Sequence, residues 1–192
     1  MGNSDRHEAT FRLGPLVHLP AVVRSLGHDP RRLFAQAGFD VQEFRDPDHR
    51  VRYVPASRLL QRCVAATGCA HLGLRVGQHA GPSYLGLACF LAWCSSTVGR
   101  ALEVLGENLD LHEDGSQLML DQGRRYAALV FALQVPGLSA VPAIYDLALA
   151  MCCQIMRTLC GADWNPSTVH LERSEPADRS PYQDYFQATL YF

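Results

Sequence analysis

Apolar residues recur along the first half of the chain at helical spacing, and in part of the second half at every other position. Leu16, Leu19, Val23 and Leu26 share one face and predict a short helix over 16–26, which Gly27 can end in a left-handed conformation. Asp29 stands in a capping position before Pro30 and predicts a second helix with Leu33, Phe34 and Ala37 inward, stopped by Gly38. Arg45 to Arg52 reads as a charged, solvated turn. Leu59, Leu60, Cys63 and Val64 predict a helix from Pro55 to about Thr67, and another short helix runs from Leu72 to about Gln78. Between Tyr84 and Trp93 nearly every side chain is apolar, with no polar face, which predicts a central, buried helix. Ser96 or Thr97 caps the next helix, which carries Val98, Ala101, Leu102, Leu105 and Leu109 inward.

The period then changes to two. Leu118 and Leu120 predict one strand, Gln122-Gly123 a turn, and Leu129, Phe131, Leu133 and Val135 a second strand, so this stretch reads as a hairpin. The longest helix follows, from about Ala143 to Leu159, with Ile144, Leu147, Met151 and Ile155 along one face. Val169 and Leu171 predict a third strand. Ser180-Pro181 opens a helical turn, and Thr189 to Phe192 reads as a fourth strand. Helices come first and strands second. The expected class is therefore α+β: several N-terminal helices, then a small antiparallel sheet of three or four strands packed with a long helix.

Composition narrows the function. A chain of 192 residues is most simply one domain, taken as 11–192 after a disordered lead-in over 1–10. Its net charge of -2 gives no attraction to a phosphate backbone, which argues against direct nucleic-acid binding. All 17 basic residues are arginine, so lysine chemistry has no candidate. Seven cysteines, an odd number set in apolar helical stretches without a CxxC pair, read as reduced structural thiols in a cytoplasmic protein. The polar first ten residues lack the core of a signal peptide, and no segment reads as a membrane span. The histidines are scattered, and no phosphate loop, nucleophile elbow or metal-binding helix motif accompanies them. No catalytic residue, metal or cofactor is expected.

Several short motifs, in order, carry a resemblance. They are Leu26-Gly27-His28-Asp29-Pro30, Leu72-Gly73-Leu74-Arg75-Val76-Gly77, Leu85-Gly86-Leu87, and Ser95-Ser96-Thr97-Val98-Gly99-Arg100-Ala101-Leu102. Trp164-x-Pro166, Pro176-Ala177-Asp178, Tyr182 and Phe186 follow. Together they resemble the N-terminal ligand-binding, arabinose-binding-like domain of AraC/XylS-type transcription regulators, in the ornithine/arginine and betaine-sensing branch. Two features depart from the pattern: Tyr84 stands where the family has an acidic residue, and the family's helix-turn-helix units have no counterpart here. An excised domain and a stand-alone sensor both fit that departure.

The resemblance implies a small-molecule effector, a homodimer, and DNA contact only through a C-terminal domain. A pocket for such an effector is expected to be mostly apolar with a few polar groups. Tyr84, Phe90, Trp93 and Cys94 on the apolar helix and Tyr145 on the long helix are its expected walls; His112 and Arg125, near the hairpin, are its expected polar contacts. Leu102, Leu105 and Leu109 form a stripe that could pack against a second subunit. The alternatives are a stand-alone interaction or dimerisation module without ligand, and a small enzyme.

Overall fold

The computed structural model describes residues 8–139 and 141–192, and the chain enters it as a strand. Most of the expected lead-in, residues 1–7, lies outside the described residues; Thr10 already belongs to β1 (Thr10–Arg12). Helix α1 (Leu19–Ser25) is shorter than its apolar pattern, because Pro20 can occupy only the first turn of a helix. The residues before it form a separate 3-10 turn, Gly14–Leu16. In α2 (Pro30–Ala35) the Asp29 carboxylate accepts the Arg31 backbone N–H at 3.0 Å. The charged segment after it is not all loop. Arg50–Arg52 forms β2, antiparallel to β1 with Phe11 opposite Val51. A strand of three residues with one inward side chain leaves no alternation to read.

Helix α3 (Tyr53–Thr67) ends at Gly68, whose φ of 64° is the left-handed turn that glycine takes without strain. Helix α4 (Leu72–Gly77) follows. The run from Tyr84 to Trp93 then divides. Pro82–Leu85 is a 3-10 turn, Gly86 reverses the backbone, and α5 covers only Leu87–Trp93. Nor is α5 a buried central helix. It turns Ala88, Cys89 and Ala92 inward and leaves Leu87, Phe90, Leu91 and Trp93 exposed. The small residues let α5 approach α6 (Val98–Glu107), which Thr97 caps by accepting the Arg100 N–H. Ala101, Leu102 and Leu105 of α6, with Leu109 just beyond it, point into the core, and Val98 is half-buried.

The hairpin β3 (Ser116–Gln122) and β4 (Ala127–Leu133) pairs Leu118 with Phe131 and Met119 with Val130. Leu118 packs inward, while Met119 and Val130 sit on the exposed face. Helix α7 (Val141–Cys160) is the spine of the molecule. By length and composition it could cross a membrane, contrary to the sequence reading. Here it is a core helix with its faces in two different cores. Ile144, Leu147, Met151 and Ile155 join the large N-terminal core; Ala150 and Cys153 join a smaller one with Leu74, Tyr182 and Phe186.

That smaller core holds β5 (Thr168–His170), α8 (Ser180–Phe186) and β6 (Thr189–Tyr191). The two strands are parallel, with Val169 opposite Leu190, since the chain must cross over through α8 to return. The six strands thus form three two-stranded ladders rather than one antiparallel sheet. The α+β class stands, but the helices-first order does not hold throughout, since β1 precedes α1 and β2 precedes α3.

Two side-chain clusters fasten the small core to the spine. Arg157 donates to the carbonyls of Trp164 and Tyr185 and to Asn165 Oδ1, holding the Trp164-Asn165-Pro166 segment on α7. Buried Asp146 accepts from Arg173 Nη1 and from the Tyr182 hydroxyl, both at 2.7 Å on Oδ2. Burial pushes the Asp146 carboxyl up to about 6, with the Tyr182 hydrogen bond and the Arg173 charge opposing that rise.

Candidate functional site

Between α3, α7, the β3–β4 hairpin and the segment joining α6 to β3 lies a cavity of about 80 Å³. Its wall is made by the same apolar faces that build the large core. Ala56 and Leu60 come from α3, Ala148 and Met151 from α7, and Leu118 and Phe131 from the hairpin. Phe11 of β1 and Leu16 of the first 3-10 turn close it.

Six polar or sulfur-bearing side chains reach this wall: Tyr53, Ser57, His112, Glu113, Met151 and Cys152. The Ser57 hydroxyl donates to the Val54 carbonyl at 2.8 Å and accepts the Ser139 N–H at 3.0 Å. Burial pushes the Cys152 thiol up to about 12, so it is a neutral, unreactive thiol near pH 7. His112 and Glu113 are held from behind by strand β1. The Arg12 N–H donates to the His112 carbonyl at 3.0 Å, the Asp114 N–H donates to the Thr10 carbonyl at 2.8 Å, and Phe11 bridges Glu113. That pairing, across some hundred residues of sequence, puts two ionisable side chains into an apolar space.

Their protonation follows from the surroundings. His112 is 2% exposed. Burial, with the positive charges of Arg12 and Arg50 nearby, pushes its imidazole down to about 3, so the ring is neutral at physiological pH. Its Nδ1 has no hydrogen-bond partner among the described residues. Burial pushes Glu113 up to about 7; the Ser116 hydroxyl, donating to Oε1 at 2.5 Å, opposes that rise. Nearby Asp114 reinforces it and Arg50 opposes it. A largely apolar cavity with a few polar groups on its wall has the general character of small-molecule pockets. Among the described residues there is no cluster of three or more potential metal ligands.

Of the residues expected from sequence, His112 lines this cavity. Tyr84 sits beside it, half-buried on the 3-10 turn, with its hydroxyl 3.0 Å from His18 Nε2; the next residue, Leu85, is the one at the wall. Tyr145 stands behind Phe131, edge-on at 6.0 Å, and its hydroxyl accepts the Leu133 N–H at 3.4 Å. Phe90, Trp93 and Cys94 are exposed on or beside the outer face of α5, and Arg125 is exposed at the hairpin tip. Glu113, Ser57 and Cys152 were not singled out, and no periodicity or motif could have found them.

Residues 27–192 match the family described as the arabinose-binding domain of AraC transcription regulator, N-term, and the chain therefore belongs to that family of transcription-regulator sensor domains. No curated protein matches the chain. Phe11, Pro15 and Leu16 lie ahead of the matched residues yet contribute to the cavity wall.

Proposed function

We propose that the chain senses a small effector in the cavity between α3, α7 and the hairpin, and passes that binding to an attached DNA-binding domain. Binding would act by favouring one arrangement of the walls over another, since a ligand moves an equilibrium only through differential affinity. The observation that carries the reading is the placement of buried His112 and Glu113 together on the wall of a largely apolar space. DNA contact belongs to the attached domain, in keeping with the net charge of -2 here. A cytoplasmic setting agrees with seven free cysteines.

A thermal-shift screen of amino acids, betaines, fatty acids, aromatic acids and arabinose tests this reading. An effector at about a hundredfold its Kd adds about 2.7 kcal/mol to stability. Ala148→Leu, which fills the cavity from α7, should abolish that shift while leaving the variant's own unfolding midpoint unchanged or higher. A shift that survives Ala148→Leu would place the site elsewhere.

A second reading, an interaction or dimerisation module, is favoured by one observation: Leu87, Phe90 and Trp93 present a bare apolar face on α5. The stripe at Leu102, Leu105 and Leu109 does not support it, because those side chains are buried within the subunit. Sensing and self-association through α5 are compatible, and we place any dimer contact on that face.

A further inference from the structure

Away from the large core, three ring-bearing side chains from distant parts of the chain meet: His18 just ahead of α1, His79 just beyond α4, and Tyr84 on the Pro82–Leu85 turn. We propose that His18 and His79 together bind one divalent ion of the late first-row transition metals, such as Zn²⁺ or Ni²⁺, with water filling the remaining positions. This site is separate from the sensing cavity and does not depend on it.

Spacing comes first. The two imidazole rings stand 5.6 Å apart at their centroids and are tilted by 46°, so they are not stacked face to face. Two imidazoles sharing an ion at about 2.0–2.1 Å per nitrogen place their centroids about 5–6 Å apart. The backbone holds each residue where it is. The His18 carbonyl accepts the Val22 N–H at 3.0 Å, and the His79 and Tyr84 N–H groups donate to Val76 and Gly81, each at 3.1 Å. A bound ion would therefore tie the start of α1 to the end of α4.

Availability comes second. His79 is exposed, and its ring makes no hydrogen bond among the described residues. His18 is half-buried, with Nε2 placed 3.0 Å from the Tyr84 hydroxyl. Its Nδ1 has no hydrogen-bond partner among the described residues and is not sealed from solvent. When Nε2–H donates to the Tyr84 hydroxyl, the Nδ1 lone pair is left for a metal. Metal-ligating histidines are commonly oriented through such a bond on the other ring nitrogen. Burial and the neighbouring His79 push the His18 imidazole below its ordinary value, so near pH 7 no proton competes for that lone pair.

Ligand chemistry comes third. Imidazole nitrogens suit late first-row ions, whereas Mg²⁺ and Ca²⁺ take oxygen ligands. No carboxylate pairs with either ring among the described residues, so nothing at the pair favours the harder ions.

Isothermal titration calorimetry with Ni²⁺ on the full chain, carrying no histidine tag, tests the proposal, and Mg²⁺ is the control. The expected result is one Ni²⁺ bound with micromolar Kd and no measurable Mg²⁺ binding. His79→Ala, at an exposed position, should abolish this binding. Tyr84→Phe should keep the stoichiometry and weaken Ni²⁺ about tenfold, because Tyr84 is a positioning residue and not a ligand. The exposed thiols of Cys94 and Cys160 are common to all three proteins, so the differences among them read the histidine pair. Ni²⁺ affinity unchanged by His79→Ala, or no wild-type binding below millimolar Ni²⁺, would overturn the site. Mg²⁺ binding as tight as Ni²⁺ would overturn the ligand class, and an unchanged affinity in Tyr84→Phe would overturn the role of Tyr84.

Discussion

Adjacent in sequence, His112 and Glu113 have been displaced in opposite directions by the same burial. The imidazole is pushed down to about 3 and the carboxyl up to about 7, because an apolar wall disfavours whichever form is charged. Their effects on stability oppose each other. Between about pH 4.5 and 7 the folded chain keeps the Glu113 proton that the unfolded chain has released, so stability falls as pH rises through that window. Between about pH 3 and 6.5 the unfolded chain binds a His112 proton that the folded chain refuses, so stability rises with pH. Where the windows overlap the two trends cancel, and a plain pH profile hides both. Glu113→Gln exposes one of them. Urea unfolding should show the wild type losing ground steadily against this variant from about pH 4.5 to pH 7, then running parallel to it. A difference independent of pH would mean that Glu113 is ionised in the folded protein throughout. Nothing in the local sequence marks Glu113, since its burial comes from β1, which also left no periodic signal.

Helix α4 shows why a family motif can be legible while its purpose is not. Gly73 and Gly77 lie one turn apart on the face that meets α7. A Cβ on Gly77 would stand 2.6 Å from the Leu147 carbonyl and 2.7 Å from the Ala150 methyl, and one on Gly73 would strike the Ala143 backbone. The glycines thus let two backbones touch. Gly73→Ala should destabilise the protein by about 1–3 kcal/mol, read as a lower urea midpoint. Gly81→Ala, at a position with open space and a φ of -74°, should stay within about 0.5 kcal/mol of wild type and serves as its control. The other matching segments are structural in the same way. Gly86 turns the chain at a φ of 59°, Thr97 caps α6, and Asp178 accepts the Ser180 N–H at the start of α8. Trp164 to Pro166 is the stretch that Arg157 secures to α7. The motifs report the scaffold, and the cavity residues lie between them.

At the scale of the whole molecule, α7 divides the interior and α5 stands at its edge. One side of α7 closes the large-core cavity; the other carries the small parallel unit held by Arg173, Asp146 and Tyr182. Among the described residues, the outer face of α5 carries the most exposed large apolar side chains of any one helix, with Phe90 62% and Trp93 46% exposed. Because those side chains pack against little within the subunit, replacing both should leave its stability within about 0.5 kcal/mol. The double variant Phe90→Ser, Trp93→Ser should nevertheless weaken self-association, measured by sedimentation velocity across a concentration series. A chain that sediments as a monomer at every concentration would remove the α5 contact from the account.

The sequence by itself determined the α+β class, the helix caps and stops, the hairpin and the family. Each of these is encoded by neighbours within a few residues of one another, through periodicity, capping and glycine placement. Only the tertiary structure decided which face of an all-apolar segment is covered, that β1 and β2 exist, that the last two strands run parallel, and where the cavity lies. Those outcomes depend on contacts between distant segments. An uninterrupted apolar run such as Tyr84 to Trp93 lowers the free energy wherever it is buried, and carries no label saying against what.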